Sequence, residues 1–60
     1  MISLTRLNGK SLILNAILIE LIEETPDTMI TLTTGKKITV LEKAEVVVSL
    51  VRIYMQEIGS

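Results

Sequence analysis

Residues 23–32 read Glu-Glu-Thr-Pro-Asp-Thr-Met-Ile-Thr-Leu, and the chain reverses direction within them. Pro26 holds its φ angle near the value needed at the second position of a tight turn, and Asp27 can hydrogen-bond to its own backbone, so both residues stop a helix. From Thr28 onward, β-branched and apolar residues alternate as they do in a strand. These ten residues predict a turn followed by a strand at the centre of a small α+β domain.

The chain of 60 residues is one small domain with few means of stabilising itself alone. At this size folding hides only about 60% of the surface of the unfolded chain. There are no cysteines, so neither a disulfide framework nor a thiolate metal site supplements the core. We expect the compensation to come from a very apolar core and from association with further copies, which makes a homo-oligomer.

Charge and hydropathy exclude several classes of protein. A net charge of −1 argues against a general polyanion binder. The start of the chain lacks the basic segment, apolar run and cleavage site of a signal peptide. No stretch reaches the roughly 18 uninterrupted apolar residues of a membrane span. We therefore expect a cytoplasmic protein with no transmembrane segment.

The segments on either side of the central turn predict four more strands. Alternation and turn signals place strands at about residues 2–7, 10–14, 18–24, 28–33 and 36–41. Asn8-Gly9 suits a type I′ hairpin turn, and Gly35 is free to take a positive φ at the next turn. The two glycine hairpins resemble each other at one fixed offset, which hairpin chemistry explains without duplication. Residues 16–24 also contain acceptable helix formers, but a largely buried strand fits them better, with a single helical turn near Ala16 left open.

The period changes after residue 41. Apolar residues recur at helical spacing and predict a helix from about residue 43 to 58: they are Val47, Leu50, Val51, Tyr54, Met55 and Ile58. Gly59 suits the C-terminal cap. Glu42 and Glu45 suit the helix dipole, although no Ser, Thr, Asp or Asn caps the start. The predicted fold over residues 1–60 is thus a small antiparallel β-meander of about five strands followed by one C-terminal helix.

The helix carries more apolar residues than one small sheet can cover. Val46, Val48 and Ile53 widen its apolar arc beyond the core stripe. A contiguous apolar patch on a protein surface usually marks an interface. We therefore expect these three residues to mediate self-association.

The residues for catalysis are scarce. Histidine and cysteine are absent, which removes the most common general base and the soft metal ligands. Glu23 and Glu24 are adjacent, so a strand points them to opposite faces, where they serve as solvated carboxylates beside a turn. Glu20 interrupts an apolar run, and we favour its exposure over a pairing with Arg6 or a lysine. We expect no enzyme activity, no catalytic or metal-binding residues and no cofactor.

Four basic residues lie at or near the two glycine turns: Arg6, Lys10, Lys36 and Lys37. If both hairpins point the same way, these side chains form one cationic rim opposite the acidic Pro26–Asp27 turn. Such a rim could contact an acidic protein segment or, less favourably, nucleic acid. Lysines at hairpin tips also protect sheet edges from aggregation, and that interpretation is the stronger one from the sequence.

Several motifs together resemble the FlbD/SwrD family of short bacterial flagellar proteins, also called swarming motility proteins. The matching runs are Leu4-Thr5-Arg6-Leu7-Asn8-Gly9-Lys10, Leu14-Asn15, Ile22-Glu23-Glu24-Thr25-Pro26-Asp27-Thr28, Ile30-Thr31-Leu32 and Gly35-Lys36-Lys37-Ile38. They cover nearly the whole chain in the same order and spacing as the family. The chain departs from the family pattern at Ala16-Ile17, where Pro-Asp is usual, and its helix is less charged.

The resemblance implies a non-enzymatic accessory of flagellar motility and swarming, located in the cytoplasm, peripheral to the flagellar base. Its implied partner is a cytoplasmic motor component, with the stator first, or another flagellar protein. The resemblance and the exposure of turns indicate seven partner-binding residues: Arg6, Asn8, Lys10, Pro26, Asp27, Lys36 and Lys37.

A nucleic-acid-binding regulator of motility genes is the alternative function. The basic hairpin tips favour it, whereas the neutral charge balance and the single aromatic residue, Tyr54, count against it. We therefore expect no nucleic-acid partner.

Overall fold

The computed structural model describes residues 1–59, with side chains through Glu57. Five strands, one 3₁₀ turn and one helix follow each other along the chain: β1 (Ile2–Thr5), β2 (Ser11–Leu14), a 3₁₀ turn (Ala16–Leu18), β3 (Ile19–Glu24), β4 (Thr28–Leu32), β5 (Lys37–Val40) and α1 (Ala44–Gly59). The predicted fold class is confirmed, and the helical turn near Ala16, which the sequence left open, is present. Gly59 is itself the last residue of α1; the predicted packing of the Ile58 side chain lies outside the described residues.

The strands form two antiparallel sheets rather than one continuous meander. β1 pairs with β2, and β4 lies between β3 and β5 in the second sheet. A single bridge between Arg6 and Val40 joins the two sheets. The division follows from Asn15, whose side-chain oxygen accepts a hydrogen bond from the Ile17 N–H at 3.2 Å. That bond caps the 3₁₀ turn and ends β2, so β3 starts in a new sheet.

The core lies between the inner faces of the sheets and the inner face of α1. β4 supplies its centre, because Thr28, Ile30 and Leu32 are all buried while the residues between them are half-buried. Val47 brings the helix into contact with this layer and is fully buried. The buried apolar residues are Ile2, Leu4, Leu14, Ala16, Ile30, Leu32, Ile38, Val40 and Val47.

β3 departs from the expected alternation. A bulge between Ile19 and Leu21 places one extra residue, Glu20, in the strand. The bulge shifts the inward positions to Ile19 and Ile22, which are half-buried, and leaves Leu21 47% exposed. The prediction of a largely buried strand is therefore wrong, because β3 has only half-buried and exposed residues, whereas the predicted exposure of Glu20 is confirmed.

The two glycine turns share one backbone geometry, but it is not the predicted type I′. In the first turn the Gly9 N–H donates to the Arg6 carbonyl at 2.9 Å, and the Arg6 N–H donates to the Lys10 carbonyl at 2.8 Å. Gly9 has φ +85°, and among residues 1–59 only glycines have a positive φ, so Asn8 does not. This pattern is a type I turn closed by a glycine bulge.

The second turn repeats the first. The Gly35 N–H donates to the Leu32 carbonyl and the Leu32 N–H donates to the Lys36 carbonyl, both at 2.8 Å. Gly35 has φ +91°, as its sequence context predicts. In each turn a side-chain oxygen two residues earlier accepts from the lysine N–H: Asn8 at 2.9 Å and Thr34 at 3.5 Å. The side chain of Asn8 thus holds the turn.

We predict that Ile30→Ala lowers the free energy of unfolding by about 2–5 kcal/mol, because it removes a fully buried side chain from the central strand. Ile13→Ala is the matched control, since Ile13 is 72% exposed and its truncation opens no cavity. Urea unfolding of both variants measures the difference. Equal stabilities for the two variants would contradict the placement of the core.

Candidate functional site

The basic residues surround the two glycine turns. We call Arg6, Lys10, Lys36 and Lys37 the basic turn surface. Arg6 is half-buried and the three lysines are exposed. At the bridge between Arg6 and Val40 the strands are antiparallel, so the chain leaves Arg6 in the direction opposite to β5. Both glycine turns therefore point the same way from this bridge.

Strand alternation separates Lys37 from the other three basic residues. In three strands the alternation of inward-facing positions extends beyond the last buried residue, and these next inward-facing positions are Arg6, Lys10 and Lys36. Lys37 lies on the outer face, directly opposite Thr31 of β4. Measured along β5 from the residue that pairs with Arg6, Arg6 and Lys37 are three residues apart. This separation corresponds to roughly 10 Å. The basic turn surface therefore wraps around a sheet edge.

Pro26 and Asp27 lie at the opposite end of β4 from the Gly35 turn. Five residues of strand separate the two ends, which corresponds to roughly 17 Å. The Thr25–Pro26 peptide is cis. The Thr25 N–H donates to the Asp27 carbonyl at 3.3 Å. Within the described residues the expected hydrogen bond from a backbone N–H to the Asp27 carboxylate is not formed. The Thr25 hydroxyl donates to the Glu24 carbonyl at 2.7 Å. The structure thus does not bring the seven sequence-selected residues together at one surface.

Two glutamates hold the start of the helix, and sequence reasoning missed both roles. The Ala44 N–H donates to the Glu24 carboxylate of β3 at 2.6 Å. The Glu42 carboxylate accepts two bonds from Thr5 of β1, from the backbone N–H at 2.9 Å and from the hydroxyl at 2.8 Å. Glu24 therefore supplies the cap that the local sequence lacks, and Glu42 ties the helix start to the first sheet.

The hydrogen bonds from Thr5 change the acidity of the Glu42 carboxylate. The backbone N–H of Thr5 lowers its pKa below the ordinary value of 4.5, against a smaller opposing effect of desolvation, and the Thr5 hydroxyl lowers the pKa further. Hydrogen bonds to the charged form favour ionisation. The contact with Thr5 therefore depends on the carboxylate being charged.

The three residues selected for self-association do not form one patch. Val46 and Ile53 are seven residues apart, about two helical turns, so they share one side of α1. Val48 lies two residues from Val46, on the other side of the helix, together with Met55. All four side chains are exposed, between 38% and 53%. The helix thus has two apolar flanks, which we call the Val46–Ile53 flank and the Val48–Met55 flank.

A shallow groove follows the Val46–Ile53 flank. One depression of about 320 Å³ is lined by Glu45, Val46, Ser49 and Leu50. A second, of about 170 Å³, lies between the C-terminal half of α1 and the start of β1, and it is lined by Met1, Ile2, Ser3, Leu50, Ile53, Tyr54 and Glu57. Leu50 lines both depressions.

Further apolar side chains are exposed on the sheets and connections. Ile13 on β2 is the most exposed, at 72%. The others outside the helix are Met1, Leu7, Ile17, Leu18, Leu21 and Leu41.

Within the described part of the chain, no three His, Cys, Asp or Glu side chains are grouped so that they could hold a metal ion. Within residues 1–59, no helix has the length and hydropathy needed to span a membrane.

We predict that stability falls on acidification more steeply in the native chain than in Glu42→Gln. Because the folded-state pKa of Glu42 is lowered, its contribution is present above the ordinary value of 4.5 and is lost as the pH falls through the folded-state pKa. Urea unfolding from neutral pH to below pH 4 measures the difference. Glu20→Gln, which removes an exposed carboxylate, is the control and should retain the native pH dependence. Parallel curves for the native chain and Glu42→Gln would contradict the Thr5 contact.

The comparison with protein-family models identifies one family. The model of the family described as FlbD, flagellar and swarming motility proteins, matches residues 1–59. No curated protein and no solved structure shows significant similarity to the chain. Since the match covers nearly all of the 60 residues, the chain belongs to the FlbD family of flagellar and swarming motility proteins.

Proposed function

We propose that this FlbD-family protein is a non-enzymatic accessory of the flagellum that supports motility and swarming by binding a cytoplasmic motor component, with the stator as the first candidate. The basic turn surface is the proposed contact. The observation that carries the proposal is the placement of four of the six basic residues at two equivalent turns that point the same way. The proposed location is the cytoplasmic side of the flagellar base.

The electrostatics of the surface indicate the kind of partner. Among the described residues, none of the four basic side chains has an ion-pair partner within the chain. Arginine and lysine that are free at a surface attract acidic segments, accelerate the encounter and fix its orientation. The partner is therefore expected to present an acidic segment, and its binding should weaken as salt is raised.

The remaining sequence-selected residues have different parts in this proposal. Asn8 holds the first turn through its bond to the Lys10 N–H, so it supports the surface. Pro26 and Asp27, at the other end of β4, form a separate acidic contact with the same partner or with another flagellar protein.

Self-association is part of the proposed function. The chain is small, and apolar side chains remain exposed on both flanks of the helix. A small domain gains stability when such side chains are buried in an oligomer. We propose a homo-oligomer that displays several basic turn surfaces.

Deletion of the gene in its host should leave the number of flagella per cell unchanged while lowering the torque of single motors. Tethered-cell or bead assays measure the torque, and flagellar staining gives the number. Missing or shortened flagella would instead favour assembly or the control of motility genes, and thus the nucleic-acid-binding alternative. Unchanged torque and number would contradict a role in the motor.

Charge reversal at Lys10, Lys36 and Lys37 should abolish swarming and weaken binding to the motor component by roughly tenfold or more, since several complementary charges become repulsive. Circular dichroism and urea unfolding establish that the variant folds.

The control for charge reversal compares two single substitutions that change the net charge of the chain by the same amount. Lys37→Glu alters the basic turn surface, whereas Lys43→Glu alters an exposed lysine beside the helix start. Swarming should be impaired by the first change only. Full swarming by a folded Lys10→Glu/Lys36→Glu/Lys37→Glu variant would remove the proposed contact surface.

A further inference from the structure

The outer edge of β2 has no neighbouring strand among residues 1–59. β2 pairs only with β1, in the two-stranded sheet. Its residues 11–14 lack the charged side chains and prolines that usually prevent two sheets from joining, and their register with β1 has no bulge. By contrast, β3 carries a bulge and three glutamates at the free edge of the other sheet. β2 is therefore the edge on which a further strand can pair.

The unpaired backbone groups of this edge are those of Ser11 and Ile13. In an antiparallel pair of strands, hydrogen-bonded residue pairs alternate with pairs whose N–H and carbonyl groups point away from each other. Ser11 lies opposite Thr5. The Thr5 N–H donates to Glu42 and the Thr5 carbonyl accepts from Leu41, so both groups point away from β2. This pair is therefore of the second kind, and the backbone groups of Ser11 and Ile13 face the open edge.

The pattern of side chains along this edge is the same in both directions. Residues 11–15 read Ser-Leu-Ile-Leu-Asn, which places one leucine and then one polar residue on each side of Ile13. Ile13 itself is 72% exposed. Such a pattern matches an antiparallel copy of itself, because a two-fold axis at Ile13 sets each leucine against a leucine and each polar residue against a polar residue.

An antiparallel second copy of β2 also satisfies the backbone groups. With Ile13 on the axis, the Ile13 N–H of each copy donates to the Ile13 carbonyl of the other. Leu12, which is half-buried, lies beside the buried Leu14 of the second copy on the inner face of the sheet. Lys10 lies beside Ala16 of the second copy, so no like charges meet across the edge. A second copy of this chain therefore fits the edge in main chain, side chains and charge.

We propose that two copies of the chain join through antiparallel pairing of their β2 strands, with Ile13 on the two-fold axis. The pairing extends the two-stranded sheet to four strands and brings the two Ile13 side chains into contact. The proposal rests on the self-association that is part of the proposed function. It assigns the pairing of two copies to a strand edge, which leaves the apolar flanks of the helix as a separate surface.

Disulfide cross-linking tests the pairing and its register, because the chain contains no cysteine. Ile13→Cys should form a linked dimer on mild oxidation at low micromolar concentration. The Cα atoms of directly opposite, hydrogen-bonded residues are about 5.5 Å apart, which a disulfide can span.

Two controls for the cross-link lie close to Ile13 in one copy. Ser3 is opposite Ile13 on β1, and Ser11 is two residues away on β2. In the proposed dimer the two copies of each serine are roughly 14 Å apart, so Ser3→Cys and Ser11→Cys should stay unlinked. All three positions are exposed, so the changes open no cavity. Failure of Ile13→Cys to link, or equal linkage of all three variants, would overturn the proposal.

A lysine on the axis tests whether this edge carries the association. Ile13→Lys places two like charges directly opposite each other and should weaken dimerisation by roughly tenfold or more in analytical ultracentrifugation. Leu21→Lys is the matched control, because Leu21 is an exposed apolar residue of β3, and it should keep the native affinity. Circular dichroism establishes that both variants fold.

The same measurements separate failure of the strand pairing from failure of self-association. A native oligomer that Ile13→Lys leaves unchanged would overturn the strand pairing alone. A native chain that is monomeric at low micromolar concentration would overturn both the strand pairing and the proposed self-association. If Ile13→Lys nevertheless abolished swarming in that case, the edge would take a strand of another protein in place of a second copy.

Discussion

The crossing between the two sheets is the constraint on which the rest of the fold depends. Beside the bridge between Arg6 and Val40, the Leu41 N–H donates to the Thr5 carbonyl at 2.8 Å. The Thr5 N–H and hydroxyl then bind the Glu42 carboxylate. Thr5 thus holds the end of β5 and the start of the helix connection at one point. The direction in which α1 leaves the sheets, and so the burial of Val47, follows from this crossing.

Local signals in the sequence predict most of the fold. Gly35 takes the positive φ that its turn requires, Asn15 ends β2 through its own side chain, and Pro26 separates β3 from β4. In each case the cause lies within a few residues of the effect. The type of the first turn was misassigned because Asn8-Gly9 also fits a type I turn with a glycine bulge, and hydrogen bonds across the hairpin decide between the two.

Interactions between distant parts of the chain account for what the sequence did not reveal. The bond from Ala44 to Glu24 and the bond from Thr5 to Glu42 join residues that no pattern connects. Their glutamates looked like solvated carboxylates, or like residues that suit a helix dipole. The bulge at Glu20 depends on pairing with β4. The partner surface was selected by residue type, and only the strand register shows that Pro26 lies away from the basic residues.

The proposed surfaces divide the molecule between two tasks. The basic turn surface belongs to the ends of the two hairpins, whereas the contacts between copies belong to the outer edge of β2 and the flanks of the helix. The proposed homo-oligomer would carry several basic turn surfaces. Such linked contacts would bind a partner that presents several sites with an effective concentration that a single copy lacks.

The cap that Glu24 provides makes the start of the helix depend on a distant part of the chain. A helix of 16 residues is marginal by itself, and its first turn is costly to form. Here the groups that stabilise its start lie 20 and 37 residues away along the chain, so the chain must close long loops before the helix gains them. The helix and both sheets should therefore form and melt as one cooperative unit. Its helical circular dichroism then reports the completed tertiary structure rather than a local conformational preference.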